Sequence, residues 1–414
     1  MHRTGVARRR GVALHYSNHA ALRRTTGGDA LQDIVPDALV LEHLSRPSSP
    51  ERILVTYRVL GEPVAIEARA KAIAIEQSVE LPLDAIDDPR VLGEIVGQVV
   101  GIKETSRNAF DVQISLAAKT MPPEAGQLLN MLFGNTSLLE DVTLQDVDFP
   151  ASYLAELGGP TVGLTGLRAQ LGAFARAMTA TALKPQGLPT AELAKLAHAA
   201  ALGGIDIIKD DHGLADQAYS PFGARVAACA KAVAEANRST GRKAAYAPSL
   251  SGSLDQLREQ IRVVRDAGLH TVLIAPMVVG LPSFHAIAKE TPGIAFVAHP
   301  SLAGASRIAP PLLLGKIFRM LGADVSIFPN YGGRFSYSAQ TCLHIADACR
   351  TPSGPLNVCL PAPAGGMSLD RVSEMLDVYG ADCMLLIGGS LLSQRENITA
   401  AAQAFVTKVA KHGQ

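Results

Sequence analysis

From Thr179 to Val409 the chain alternates short apolar runs with amphipathic stretches, and it does so eight times. The apolar runs are Thr179–Leu183, Ile205–Ile208, Ala244–Ala247, Thr271–Ile274, Ile294–Val297, Val325–Phe328, Leu356–Leu360 and Cys383–Ile387. Between them lie stretches with helical spacing, such as Thr190–Ala201, Pro221–Arg238 and Leu254–Ala267, and a last one spans Gln394–Val409. Strands this short, with no polar alternation, are buried on both faces, which requires a parallel sheet covered by helices. Eight such units over about 250 residues have the number and size of a (β/α)8 TIM barrel. An open doubly wound sheet is the alternative. It is weakened by the lack of a GxGxxG after the first strand.

Upstream the rhythm differs. Ile53–Val59, Ile95–Val100 and Phe110–Leu116 read as strands, and Pro63–Ser78 and Pro122–Leu132 as helices. The expected order is a smaller α+β N-terminal domain of ferredoxin-like type over 49–160, then an α/β barrel over 161–414. Residues 1–48 carry Arg3, Arg8, Arg9 and Arg10 without the apolar core of a secretory signal. They are expected to be a loose tail or the product of a start codon placed too far upstream, with Arg46–Pro50 as the linker.

Composition narrows the class of partner. Acidic and basic residues number 38 each. A balanced chain lacks the basic excess that nucleic acid or an anionic membrane demands, and no apolar run reaches transmembrane length. Cys229, Cys342, Cys349, Cys359 and Cys383 form no CxxC pair and no zinc spacing. They read as core residues of a cytoplasmic protein.

Chemistry in a TIM barrel sits where strands end at their C-termini. There the chain places Lys184 after strand one, Lys209-Asp210-Asp211-His212 after strand two, His299-Pro300 after five, Gly365-Gly366 after seven and Gly388-Gly389 after eight. A lysine that closes a buried strand must find a charge partner or lose its own charge. The loops after strands seven and eight build phosphate sites in such barrels, and glycine lets backbone N–H groups approach the anion. Alternation along a strand turns Lys209 and Asp211 to the same side. They read as half of a cation site if Lys209 carries a CO2-derived carbamate, and as a buried Lys–Asp ion pair otherwise.

These motifs resemble those of the RuBisCO superfamily. Gly203-Gly204-Ile205-Asp206-Ile207-Ile208-Lys209-Asp210-Asp211 resembles its GGxDxxKDDE signature, and Lys184-Pro185 its KPK. Gly134-Asn135, Ala364-Gly365-Gly366 and Gly388-Gly389 resemble its GN, SGG and GG, in the family's order from about Arg52 on. The departures are specific. His212 replaces the metal-ligating glutamate, and Gln186 the second lysine of KPK. Pro300 replaces the arginine that holds a second phosphate, Phe328 a strand-six histidine and Ala364 the serine. The mobile-loop lysine of the family falls near Arg334.

The resemblance implies a RuBisCO-like protein acting on a substrate with one phosphate, without CO2 fixation. It makes Lys209, Asp211 and His212 metal ligands, for Mg2+ or, because of the imidazole, Mn2+ or Zn2+. It makes Lys184, Lys209, His299 and Asn135 catalytic, and Gly365, Gly366, Gly388 and Gly389 the phosphate cradle. Asn135, with Glu76 beside it in role, would serve a partner's site in a homodimer. The expected reaction is conversion of 3-oxo-isoapionate 4-phosphate and water to 3-phosphoglycerate and glycolate. The alternatives are 2,3-diketo-5-methylthiopentyl-1-phosphate enolase, methylthioribulose-1-phosphate isomerase, and a non-catalytic regulator on the same scaffold.

Overall fold

The computed structural model describes residues 52–412, so the expected tail and linker lie outside the described residues. β1 (Arg52–Leu60), β2 (Gln98–Ser106), β3 (Ala109–Ala117) and β4 (Val142–Asp148) form an antiparallel sheet in the order β2-β3-β1-β4. Helices Ile66–Glu76 and Ala125–Phe133 connect β1 to β2 and β3 to β4, which makes the arrangement ferredoxin-like. β1 alternates strictly, and Ile53, Val55, Tyr57 and Val59 are its buried face. β4 is absent from the strands read in the sequence. Its Val142-Thr-Leu-Gln-Asp-Val-Asp148 pattern places acids among the apolar residues, yet Val142, Leu144 and Val147 are buried. The β4 edge meets the barrel where the Leu144 amide donates to the Arg307 carbonyl at 3.0 Å.

The barrel strands are β5 (Met178–Leu183), β6 (Ile207–Asp210), β7 (Ala245–Ala247), β8 (Ser249–Leu250), β9 (Thr271–Ile274), β10 (Ala295–Ala298), β11 (Val325–Pro329), β12 (Leu360–Ala364) and β13 (Met384–Ile387). Every pairing among them is parallel, in the order β7-β6-β5-β13-β12-β11-β10-β9-β8. β7 and β8 are two halves of one strand, separated at Pro248. β7 pairs with β6 and β8 with β9. The Pro248 carbonyl accepts from the Leu273 amide at 2.9 Å, so the ring closes as an eight-fold barrel.

Side chains of alternate strand positions fill the interior. Met178, Ala180, Ile207, Ala247, Leu273, Val297, Ile327, Ala362 and Met384 form one buried cluster, floored by Leu167 and Leu171 of helix Gly163–Leu171. A second and larger apolar cluster lies between the strands and the outer helices and runs on into the core of the N-terminal domain. All five cysteines are free and buried. Among the described residues no helix is long and apolar enough to cross a membrane.

Strand seven is β12, four residues later than the run Leu356–Leu360 suggests. Pro361 and Pro363 argue against a central strand because each lacks an N–H. The Leu360 amide bonds Asp324 on the β11 side. Alternation then puts both proline nitrogens on the β13 side, where the ladder shrinks to the pair Ala364–Leu386. Strand two likewise runs later than read and carries Lys209 and Asp210 within it.

Candidate active site

β5 and β6 are neighbours, with Ala182 opposite Lys209 and Leu183 opposite Asp210. That register brings Lys184, one residue past β5, to Asp211, one residue past β6. Lys184 Nζ lies 2.6 Å from Asp211 Oδ1. His212 Nδ1 is 3.2 Å from the same oxygen. The His212 ring stacks on that of His299, with centroids 4.2 Å apart and planes within 8°. Residues from the ends of strands one, two and five thus meet at one rim.

Lys209 is only 3% exposed. Its ammonium donates to the Asp210 carbonyl at 3.0 Å and, among the described residues, has no carboxylate within ion-pair distance. Burial pushes it down to about 8, the Lys184 charge adds to this, and Asp211 opposes it. Asp211 is also desolvated, but hydrogen bonds from His212 and Lys184 hold it well below the usual carboxylate range. The ion pair expected for Lys209 is therefore made by Lys184.

His299 is neutral. Burial, with the nearby Lys209 charge, pushes it down to about 2. The hydrogen bonds agree. A backbone N–H can only donate, and that of Ser301 reaches His299 Nδ1 at 3.2 Å, with the Ser301 hydroxyl at 2.9 Å. Nδ1 is thus the acceptor, and Nε2 carries the proton.

Asp210 points the other way, into the helix layer. Arg225 Nε donates to its Oδ2 at 2.9 Å and the Tyr246 hydroxyl to its Oδ1 at 2.7 Å, while the Ser249 amide reaches Oδ2 at 3.0 Å. Arg225 also donates to the carbonyls of Ser220 and Ala215. It thereby ties down the loop that follows Asp211 and His212. Sequence reading missed Arg225, although a signal exists. It lies in helix Phe222–Thr240 on the stripe of Phe222, Val226, Cys229 and Val233, where a charged side chain must have a buried partner.

On the same rim, past the end of β12, Gly365 and Gly366 have φ of 86° and 74°, a region that favours glycine. A side chain on Gly366 would begin 2.9 Å from the Gly333 Cα, so the loops after β11 and β12 touch backbone to backbone. Gly388 and Gly389 have open space where a side chain would begin. None of these four amides donates in a turn or loop hydrogen bond. Where a second anion would need cations, Pro300, Phe328 and Ala364 supply none, and Phe328 is buried against Tyr379.

Asn135 stays within its own domain. Its amide donates to Glu76 at 2.9 Å and to Glu80 at 3.0 Å. It makes no hydrogen bond to the barrel rim. The structure instead places together Asn135 and Glu76, the two N-terminal residues with the same expected role.

Among the described residues no three His, Cys, Asp or Glu side chains converge as a metal group. With one carboxylate set beside the Lys184 and Lys209 side chains, the cluster around Asp211 does not by itself fit a divalent ion. It fits one only once Lys209 has become a carbamate, which would make two anions and an imidazole the donor set. A lysine near 8 supplies the neutral amine that reaction with CO2 requires.

A parallel barrel with this lysine–aspartate cluster and two glycine pairs on one rim, preceded in the chain by an antiparallel domain, defines a RuBisCO-type protein. The comparisons agree. The family model "Ribulose bisphosphate carboxylase large chain, catalytic domain" matches residues 163–326. The chain is 57% identical to ribulose bisphosphate carboxylase-like protein 1 of Rhodopseudomonas palustris, over 88% of this chain and 99% of that one. It is 58% identical to the 5-methylthioribulose-1-phosphate isomerase of Rhodospirillum rubrum, over 87% and 96%. The crystal structure of a Rubisco-like protein from Rhodopseudomonas palustris superposes with a TM-score of 0.83 at 55% identity, covering 88% of this chain and 99% of that one. The chain belongs to the RuBisCO large-chain family as a RuBisCO-like protein of form IV, and it is not a carboxylating RuBisCO.

Proposed function

We propose that the chain is an isomerase of 5-methylthioribulose 1-phosphate that works through an enolate. The observation that carries this reading is the 58% identity, across 96% of its length, to a protein of that name. The site is consistent with it. One glycine cradle suits one phosphate, and Pro300, Phe328 and Ala364 suit an uncharged far end better than a second anion.

Isomerisation of a ketose phosphate consumes nothing. A proton leaves the carbon beside the carbonyl, the hydroxyl proton of that carbon passes to the former carbonyl oxygen, and a proton returns to the former carbonyl carbon. Lys184 is placed to make both transfers at carbon, taking the proton as an amine and returning it as an ammonium. Asp211 holds Lys184 in position. Neutral His299, through its Nε2–H, donates a hydrogen bond to an oxygen of the enolate, and the stacked His212 fixes its plane. The backbone amides of Gly365, Gly366, Gly388 and Gly389 bind the phosphate. The carbamate of Lys209, Asp211 and His212 would hold Mg2+, with Mn2+ or Zn2+ as alternatives. A bound ion of this kind polarises the carbonyl and acidifies the neighbouring C–H. The working unit is a cytoplasmic homodimer in which Asn135 and Glu76 complete the partner's site.

The hydrolytic cleavage of 3-oxo-isoapionate 4-phosphate is the second reading, and His212 is the feature that favours it. One experiment separates the two. Protein supplied with Mg2+ and bicarbonate is given each substrate in deuterated water and followed by carbon and phosphorus NMR, beside Lys184→Met and Lys209→Ala. Deuterium entry and a new ketose phosphate from the methylthio sugar, lost in both variants, support the isomerase. Release of 3-phosphoglycerate and glycolate from the other substrate replaces it with the hydrolase. Inertness toward both favours the regulatory protein.

A further inference from the structure

The loop after β11 is fastened to the phosphate-binding loop after β12 by a side chain that no motif singles out. Arg371 precedes helix Val372–Tyr379. Its Nε donates to Glu374 Oε2 at 3.1 Å and its Nη2 to Oε1 at 3.3 Å. The same Nη2 reaches the Tyr331 carbonyl at 3.2 Å, and the guanidinium lies over the Tyr331 ring, 5.5 Å from its centroid. The Tyr331 hydroxyl closes the cluster by donating to Glu374 at 3.0 Å.

The guanidinium sits in the corner between the two loops. A side chain on Gly332 would begin 3.3 Å from Arg371 Nη2, and one on Gly366 3.7 Å from Nη1. Nη1 is buried and has no hydrogen-bond partner among the described residues. It is a donor held in reserve beside the Gly365-Gly366 cradle, in a cluster that is otherwise satisfied.

We propose that Arg371 is the positioning residue of the phosphate site. It sets the loop after β11 against the glycine pair, and its spare Nη1 takes a backbone carbonyl of that corner when the loops draw together on phosphate. The proposal rests on the reading of Gly365 and Gly366 as the phosphate cradle. Arg371 acts through those glycines and does not touch the ligand. Its charge is matched by Glu374, so its contribution is geometric, from the planar fork.

The test is titration of the full chain with inorganic phosphate by calorimetry, with kcat and KM for the sugar phosphate measured alongside. Arg371→Lys keeps the charge and loses the fork. It should weaken phosphate roughly 10–100-fold and raise KM to match with kcat little changed, because a displaced binding loop is penalised on that scale. Arg371→Gln should do the same. Glu374→Gln, at a half-exposed position where folding is safe, should weaken phosphate severalfold by releasing the helix side of the cluster. Unchanged phosphate affinity in folded Arg371→Gln, or in Glu374→Gln should the arginine variants not fold, overturns the proposal. Wild-type affinity in Arg371→Lys would show that charge alone suffices and overturns it too. A wild-type protein that binds no phosphate removes the cradle reading, and this inference with it. A wild type that binds phosphate as tightly as every variant removes only this inference.

Discussion

Lys184 and Asp211 meet at 2.6 Å although 26 residues separate them, because their strands are neighbours in a register that ends both at the same height. The contact pairs a candidate proton carrier with a candidate metal ligand. Lys184→Met is expected to lower kcat by about 10²–10⁴-fold, the usual range for loss of a general acid–base group. Asp211→Asn should lower it as well, and should also loosen Lys184. Steady-state kinetics, with circular dichroism to verify folding, checks both.

Lys209 is costly to the folded state while it is charged. Its folded pKa, near 8, lies below the ordinary 10.5. Between those values the unfolded chain holds more protons, so stability rises with pH across that window, and the penalty is full below it. Lys209→Met should therefore stabilise the metal-free protein at pH 7 by roughly 2–4 kcal/mol, with the gain falling through the window from about 8 to 10.5 and nearly gone at pH 10.5. Thermal unfolding at both pH values reads this, and a variant that loses stability at pH 7 would contradict it.

Metal affinity should depend on CO2. Among the described residues no trio of donors converges without a carbamate, so Mg2+ titrated into CO2-free protein is expected to give no heat of specific binding. Bicarbonate should restore it, more strongly at pH 8 than at pH 6.5, because only the neutral Lys209 amine reacts. Lys209→Ala should bind under neither condition. Tight Mg2+ binding in the CO2-free wild type would remove the carbamate from the mechanism.

Arg225 and Asp210 form an ion pair with both side chains 0% exposed. Removing one partner from such a pair typically costs about 3–5 kcal/mol, since the other charge is left buried and alone. Arg225→Met is expected to lose that much in urea unfolding. Tyr246→Phe, which removes one hydrogen bond to Asp210, should lose about 1–3 kcal/mol.

The barrel was legible because its strands are apolar runs at even intervals, and burial on both faces leaves no other composition. The strands missed or misplaced, one in the N-terminal sheet and one in the barrel, are those whose composition breaks the apolar pattern. β4 carries Asp146 and Asp148, and β12 carries Pro361 and Pro363. The rim was legible through alternation, which rightly put Lys209 and Asp211 on one side and Asp210 on the other. Pairing across strands was not legible, since it depends on register. Lys209 and Asp211 are two residues apart in the motif, yet Asp211 goes to Lys184. The brace at Arg371 joins residues 40 apart to a pair of glycines, and no local pattern signals it.

The break at Pro248 gives the wall of the barrel a seam. Elsewhere one continuous strand serves the neighbours on both sides. Here β7 serves one side, β8 the other, and the Ser249 amide is taken up by the Asp210 carboxylate instead of a strand carbonyl. Strand three is therefore stitched to the active-site strand by a side chain that titrates and can be mutated. Amide hydrogen exchange should be fastest in the barrel wall at Ser249–Leu250, and faster again in Asp210→Asn. A lesion at this seam would reach Lys209 and Asp211 from outside the site, without altering any group that meets the substrate.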